Sequence, residues 1–206
     1  MKKEKEISVE NRPWFKVWPR HLPKNLEYPQ VPAWWIIERN MNRFADRTAI
    51  IFLNHEDLSE IERLSYSDLW QKANSLAAGL RELGIRKGDR VATLLPNSPS
   101  LIVSYYGIWM SGASITPCNA MAKEKEIEYQ LKDSGARILI AADTLNELAS
   151  PVTEKLGLTL IVASVGEKIN NRNSKNAIPF ERLIYNGRKR PTDFSIDPCE
   201  DTAVLL

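Results

Sequence analysis

The stretch RVATLLPNSPSLIVSYYGIWMSGASITPCN, residues 90–119, decides the fold. Its first six residues, Arg90 to Leu95, are an apolar run bounded by Lys87-Gly88-Asp89 and Pro96-Asn97, which is the pattern of a strand buried on both faces. Ser98-Pro99 supplies a helix start. The hydroxyl can accept a first-turn N–H, and proline fits a position whose N–H has no intrahelical partner. Residues 101–110 are too long and too uniformly apolar for a second strand, so they read as a buried helix that Gly112 can end in a left-handed conformation. Ala113-Ser114-Ile115-Thr116 is a short second strand closed by Pro117. Strand, helix, strand predicts a βαβ unit with parallel strands in a right-handed crossover.

Working outward on the N-terminal side, Trp34, Ile37, Met41 and Phe44 recur at helical spacing. Residues 48–53 and 61–65 flank the polar turn Asn54-His55-Glu56-Asp57 and predict a hairpin. Ser67 is the expected cap of the next helix, with Asp68 near its positive end. That helix carries Leu69, Ala73, Leu76, Leu80 and Leu83 on one stripe and stops at Gly84.

On the C-terminal side, Lys123-Glu124-Lys125-Glu126 opens a helix that turns Ile127 and Leu131 inward and stops at Ser134-Gly135. Residues 137–142 and 158–163 read as strands. The helix between them, 144–156, contains Pro151 and is expected to bend or split there. Residues 165–179 are rich in Asn, Lys and Ser and predict a loop, the least ordered segment after the termini. Residues 180–184 read as a short helix, 186–198 as irregular chain, and 201–206 as a strand. A chain stopping on an apolar strand predicts truncation. The fold class is therefore α/β, a mainly parallel sheet with helices on both faces.

Residues 1–32 hold Pro13, Pro19, Pro23, Pro29 and Pro32, interleaved with Trp14, Phe15, Trp18 and Tyr28. This density forbids long helices, while the aromatics argue against plain disorder. The reading is an arm, residues 1–32, wrapping over an α/β body at residues 33–206. An aromatic surface offered to a partner or to lipid is the alternative.

Composition excludes several function classes. Lys+Arg 28 against Asp+Glu 26 gives a net charge of +2, no general footprint for nucleic acid. Lys2-Lys3-Glu4-Lys5 and Arg188-Lys189-Arg190 read as solvated loops. Cys118 and Cys199 lie far apart, outside any metal-ligand spacing, and are expected as reduced, buried thiols. No signal peptide or transmembrane span is legible, so a cytoplasmic protein is expected.

Few residues suggest chemistry. His21 and His55 read as surface histidines. The nine glycines form no phosphate-binding GxGxxG loop. Asp143, Asn97 and Asn119 follow predicted strands, at the sheet edge where ligands bind in such folds. Asp143 is read as a helix cap, and both asparagines as turn residues.

Several pieces in sequence order resemble the adenylate-forming, AMP-binding enzymes, in their acyl-CoA synthetase (fatty acid–CoA ligase) branch. Pro32-Ala33-Trp34-Trp35-Ile36-Ile37 and Asp46-Arg47-Thr48-Ala49-Ile50 resemble the family's opening helix and entry strand. Leu64-Ser65-Tyr66-Ser67-Asp68-Leu69 resembles a first core motif. Residues 78–92, with Leu83-Gly84-Ile85-Arg86-Lys87-Gly88-Asp89, resemble the segment after it. Pro96-Asn97-Ser98, then 105–113 and Pro117-Cys118-Asn119, resemble a second motif. Residues 128–136 resemble the following helix and turn, and Pro13-Trp14-Phe15-Lys16-Val17-Trp18-Pro19 the arm of long-chain members.

The resemblance implies the N-terminal subdomain of a ligase that uses ATP and Mg to convert a fatty acid to an acyl-adenylate, which CoA then takes up. In the family, residues 201–206 would lead into a Ser/Thr/Gly-rich phosphate loop that lies beyond this chain. No catalytic, cofactor-binding or metal-binding residue of the family maps onto a position here. ATP, Mg and CoA are thus expected of the whole enzyme, and the 206 residues alone are expected to be inactive and to bind none of them. A stand-alone α/β interaction module that has lost the chemistry is the alternative. Exposed strands and apolar surface predict self-association, with a homodimer as the simplest species.

Overall fold

The computed structural model describes residues 12–166, 176–185 and 187–206, which divide between Gln30 and Val31 into two compact units. In the first, Pro13–Lys16 forms a short 3-10 turn, and the rest of residues 12–30 is irregular.

The second unit begins with helix α1 (Trp35–Phe44), followed by strands β1 (Thr48–Leu53) and β2 (Glu60–Ser65), which pair antiparallel as a separate hairpin. Helix α2 (Tyr66–Glu82) follows without a break. Its cap is Ser65, not Ser67. The Ser65 hydroxyl accepts the Asp68 N–H at 3.0 Å, and the Asp68 carboxylate accepts the Ser65 N–H at 2.9 Å. This reciprocal pair satisfies two end-of-helix donors, which Ser67 could not do from inside the first turn. The Ser65 hydroxyl and N–H also hold the Asp68 carboxyl below its usual pKa.

Next come β3 (Arg90–Leu94), α3 (Pro99–Met110) and β4 (Ser114–Pro117), the predicted βαβ unit, with β3 and β4 parallel. Ser98 caps α3 by accepting the Leu101 N–H at 3.3 Å, and Pro99 occupies the first turn. Gly112 takes φ +88°, the left-handed turn expected there. Helix α4 (Glu124–Ser134) leads to β5 (Ile138–Ala142), and a 3-10 turn at Asp143–Leu145 leads to α5 (Asn146–Leu156). The helix runs uninterrupted through Pro151, and the break falls before Asn146 instead. Strand β6 (Thr159–Ala163) follows.

Within the expected loop, residues 167–175 lie outside the described residues. Ile178–Pro179 is a short strand, β7, parallel to β6, and it runs into α6 (Phe180–Ile184). Two residues carry no readable period, so β7 was invisible to pattern. The terminal strand expected over 201–206 is reduced to one parallel bridge, Val204 to Ile115. The Ile115 N–H donates to Ala203 O at 3.0 Å, and the Leu205 N–H to Ile115 O at 2.8 Å.

The parallel sheet has the order β4-β3-β5-β6-β7. Helices α1, α2, α3 and α6 bury one face, where Leu76, Leu80, Ile108, Ile115 and Ile140 meet. Helices α4 and α5 bury the other, around Ile127, Leu131, Leu139 and Val152. Strands covered on both sides explain why β3 and β5 read as unbroken apolar runs.

Glu128 ties the second face together by accepting Lys132 at 2.7 Å and Lys155 at 2.8 Å. These two ammonium groups hold its carboxyl at about 2 instead of 4.5. A lowered folded-state pKa means stabilisation that is complete above the ordinary carboxylate range and is lost as pH falls toward 2. The stability difference between wild type and Glu128→Gln, measured by urea unfolding, should be constant near neutrality and shrink between pH 4.5 and about 2. A difference unchanged across that window would rule out this charge as its source.

Candidate functional site

The candidate site follows from the strand order. β3 lies between β4 and β5, so the connection from β4 to β5 must pass over it, and the direction of winding reverses there. From β3 the chain rises to α3 on one face, and from β5 to α5 on the other. Connections that part to opposite faces leave a crevice at the carboxyl ends of the strands, the usual ligand position in open α/β sheets. Pro96-Asn97-Ser98, Cys118-Asn119 and Asp143 form this rim.

The rim's polar groups hold the backbone. Ser98 donates to Pro96 O at 3.1 Å besides capping α3. Asn119 Oδ1 accepts the Met121 N–H at 2.9 Å, a side-chain turn of the expected kind. Asn97 is exposed. Asp143 is 5% exposed, and its Oδ1 accepts the Thr144 N–H at 2.9 Å and the Val165 N–H at 3.4 Å. It therefore ties the turn after β5 to the chain after β6, and does not cap α5, whose first residue is Asn146. His21 and His55 are both exposed.

The cysteines differ from expectation in one respect: Cys118 is buried, but Cys199 is exposed, on an irregular segment. Burial pushes the Cys118 thiol up to about 11, and a protonated thiol is a poor nucleophile. Iodoacetamide at pH 8 should leave Cys118 unmodified in the folded chain and label it after urea unfolding, as read by peptide mass mapping. Rapid native labelling at Cys118 would contradict its burial.

A cavity of about 600 Å³ lies at the opposite edge, beside the first residues of β3 and β4. Trp34, Arg90, Trp109 and Ser114 line it together with Ile196, Pro198, residues 200–203 and Leu205. Its polar groups are engaged in structure. Lys87 pairs with Asp201 at 2.8 Å, Arg90 Nε donates to Ser134 O at 2.7 Å, Trp109 Nε1 to Ala203 O at 2.9 Å, and Ser114 Oγ to Thr202 O at 2.6 Å. The Lys87, Trp109 and Ser114 contacts fasten residues 201–203 beside β4, a role no local sequence signal announces.

The segment after residue 187 corrects the reading of Arg188-Lys189-Arg190 as solvated for the two arginines, while Lys189 is exposed as expected. Arg188 pairs with Glu82, and Arg190 reaches Glu38 at 3.3 Å while lying over Trp34 and Trp70 at 5.4 and 6.0 Å. Among the described residues no three His, Cys, Asp or Glu side chains could together hold a metal ion. Among the described residues no glycine-rich turn lies at the rim.

Fold and rim define a doubly covered α/β domain whose strand ends are shaped as a binding edge but carry scaffold groups. The sequence profile of the AMP-binding enzyme family matches residues 37–206, and the chain belongs to that family. It corresponds to the N-terminal part of acyl-CoA ligases. A long-chain-fatty-acid–CoA ligase of Bacillus subtilis is 32% identical over 173 residues, covering 84% of this chain and 28% of the relative. 4-Coumarate–CoA ligase 3 of Arabidopsis thaliana is 32% identical over 142 residues, 69% of this chain and 24% of the relative. The crystal structure of a long-chain-fatty-acid–CoA ligase from Archaeoglobus fulgidus superposes with a TM-score of 0.70 at 28% identity, covering 87% of this chain and 35% of that one. The chain thus spans under a third of the length of the curated relatives it matches.

Proposed function

We propose that this chain supplies the N-terminal scaffold of a cytoplasmic fatty acid–CoA ligase. The parent reaction joins a carboxylate to AMP at the expense of ATP, releasing pyrophosphate, and then transfers the acyl group to the CoA thiol. The observation that carries this reading is the unbroken family match over residues 37–206, supported by the likeness to two long-chain ligases. On this reading the 206 residues position the rim at the carboxyl ends of β3, β4 and β5, and groups outside them handle phosphate and metal charge. The family's aromatic arm motif at residues 13–19 favours a long acyl chain.

The test has two arms. The purified 206-residue chain should show no fatty-acid-dependent ATP–pyrophosphate exchange, and any such exchange would overturn its assignment as scaffold. A chimera carrying residues 37–206 in place of the matching segment of the Bacillus subtilis relative should form acyl-CoA. A chimera that folds but fails at the adenylation step would refute the equivalence of the two segments.

A further inference from the structure

Residues 12–30 form a compact unit with an unusual surface. The rings of Trp14 and Phe15 meet edge to face at 6.2 Å, and those of Phe15 and Trp18 at 5.6 Å. Trp18 Nε1 closes the turn by donating to Leu22 O at 3.3 Å. These aromatics keep much of their area in water: Trp14 is 51% exposed and Tyr28 74%. The aliphatic residues beside them are equally open, Val17 at 85% and Leu26 at 69%. Apolar surface concentrated in so short a segment marks an interaction site.

The charges in the same segment are mostly of one sign. Arg12, Lys16, Arg20 and Lys24 recur every four residues, against a single acid, Glu27. The cations stand among the rings. The Arg12 guanidinium lies 5.4 Å from the Trp14 ring centre, and the Lys24 ammonium 5.2 Å from that of Phe15.

We propose that residues 12–30 are an interfacial anchor that docks the chain on a membrane surface bearing anionic headgroups. Amphipathic tryptophan and tyrosine rings settle at the headgroup level, and long basic side chains lay their stems along apolar surface while their charges reach phosphate. Apolar burial and attraction to anionic lipid add together in such anchors. Nucleic acid fits less well, because Val17, Leu22 and Leu26 have no π face to stack on a base. No helix among the described residues is long and apolar enough to cross a membrane, so the surface lies on the bilayer without spanning it. The inference rests on this unit alone and is independent of the proposed ligase reaction.

The test is co-sedimentation of the 206-residue chain with extruded vesicles, without ATP or fatty acid. The chain should bind phosphatidylcholine vesicles containing about one-third phosphatidylglycerol, bind pure phosphatidylcholine far less, and be released by high salt. Each basic residue close to an anionic surface contributes about fivefold in partitioning. Arg12→Gln/Lys16→Gln/Arg20→Gln/Lys24→Gln should therefore weaken binding by about a hundredfold or more. Trp14→Ser/Val17→Ser/Trp18→Ser/Leu26→Ser should also weaken it with every charge in place, which simple electrostatic adsorption would not show. All eight side chains lie outside the core, and circular dichroism checks that both variants fold. The proposal is overturned if the wild-type chain binds neither vesicle. It is equally overturned if the charge-neutral variant binds as well as wild type. It also fails if the apolar variant alters only the oligomeric state by light scattering, since the occupant would then be a second copy of the chain.

Discussion

Replacing Gly107 by valine is expected to destabilise the fold by about 3 kcal/mol, near the upper end of ordinary overpacking costs. Gly107 sits where α3 crosses α2. A Cβ there would come within 2.7 Å of Leu76 Cδ2, 2.8 Å of its Cγ and 2.9 Å of its Cβ. Contact with the far end of a flexible side chain could be relieved by a rotamer change. Contact with Cβ cannot, because that atom is fixed by the backbone of α2. Leu76 has no exposed surface into which to swing, so the helices themselves must part.

The reciprocal change identifies the contact. Leu76→Ala alone should cost about 2–5 kcal/mol through lost burial and a residual cavity. Adding Gly107→Val to Leu76→Ala should cost less than Gly107→Val in wild type, because the contacts with Leu76 Cδ2 and Cγ are gone, but relief is partial because the Cβ contact at 2.9 Å remains in alanine. Urea unfolding of the four proteins measures the coupling, and strictly additive losses would refute the packing argument.

Arg190→Ala is expected to cost about 1–2 kcal/mol, far more than an average loop substitution. The guanidinium lies over two indoles and pairs with Glu38, while the Arg190 backbone N–H donates to Asn74 Oδ1 at 3.3 Å. Removing the side chain exposes apolar ring surface and leaves Glu38 without this partner. Arg190→Lys keeps the charge but loses the planar group that stacks, so it should recover only part of the loss. The readouts are urea unfolding and the rate of proteolysis within residues 187–205, which should rise in Arg190→Ala. Wild-type values for both would mean that this segment is held elsewhere, by the Arg81–Asp193 and Lys87–Asp201 pairs.

These two sites also mark how far sequence reasoning reached. Gly107 lies in a helix that could be read directly, yet glycine inside a helix carries no sign of what approaches it. Arg190 stands in a basic tripeptide that looks solvated, since its partners, Glu38, Trp34 and Trp70, are more than a hundred residues away. The candidate rim behaves in the same way. Asn97, Asn119 and Asp143 were placed after strands by local pattern, but which strands are neighbours, and hence where the crevice opens, depends on the order β4-β3-β5-β6-β7.

By itself the sequence determined what short-range physics controls. Apolar periodicity separated strands from helices, Ser98-Pro99 marked the start of α3, and Gly112 its end. Motifs in a fixed order pointed to the adenylate-forming family. Tertiary structure alone decided the pairings whose partners are distant or whose local signal is too brief. The two-residue β7 exists only because β6 offers it an edge, and Val204 bonds to Ile115 only because β4 is the outer strand. Residues 187–205 have no period of their own and are ordered by the Glu38 carboxylate of α1, the Trp34 and Trp70 rings, and donors from Trp109 of α3 and Ser114 of β4 to the carbonyls of Ala203 and Thr202. Such contacts gain their free energy only after the sheet has assembled, so no window of neighbouring residues encodes them.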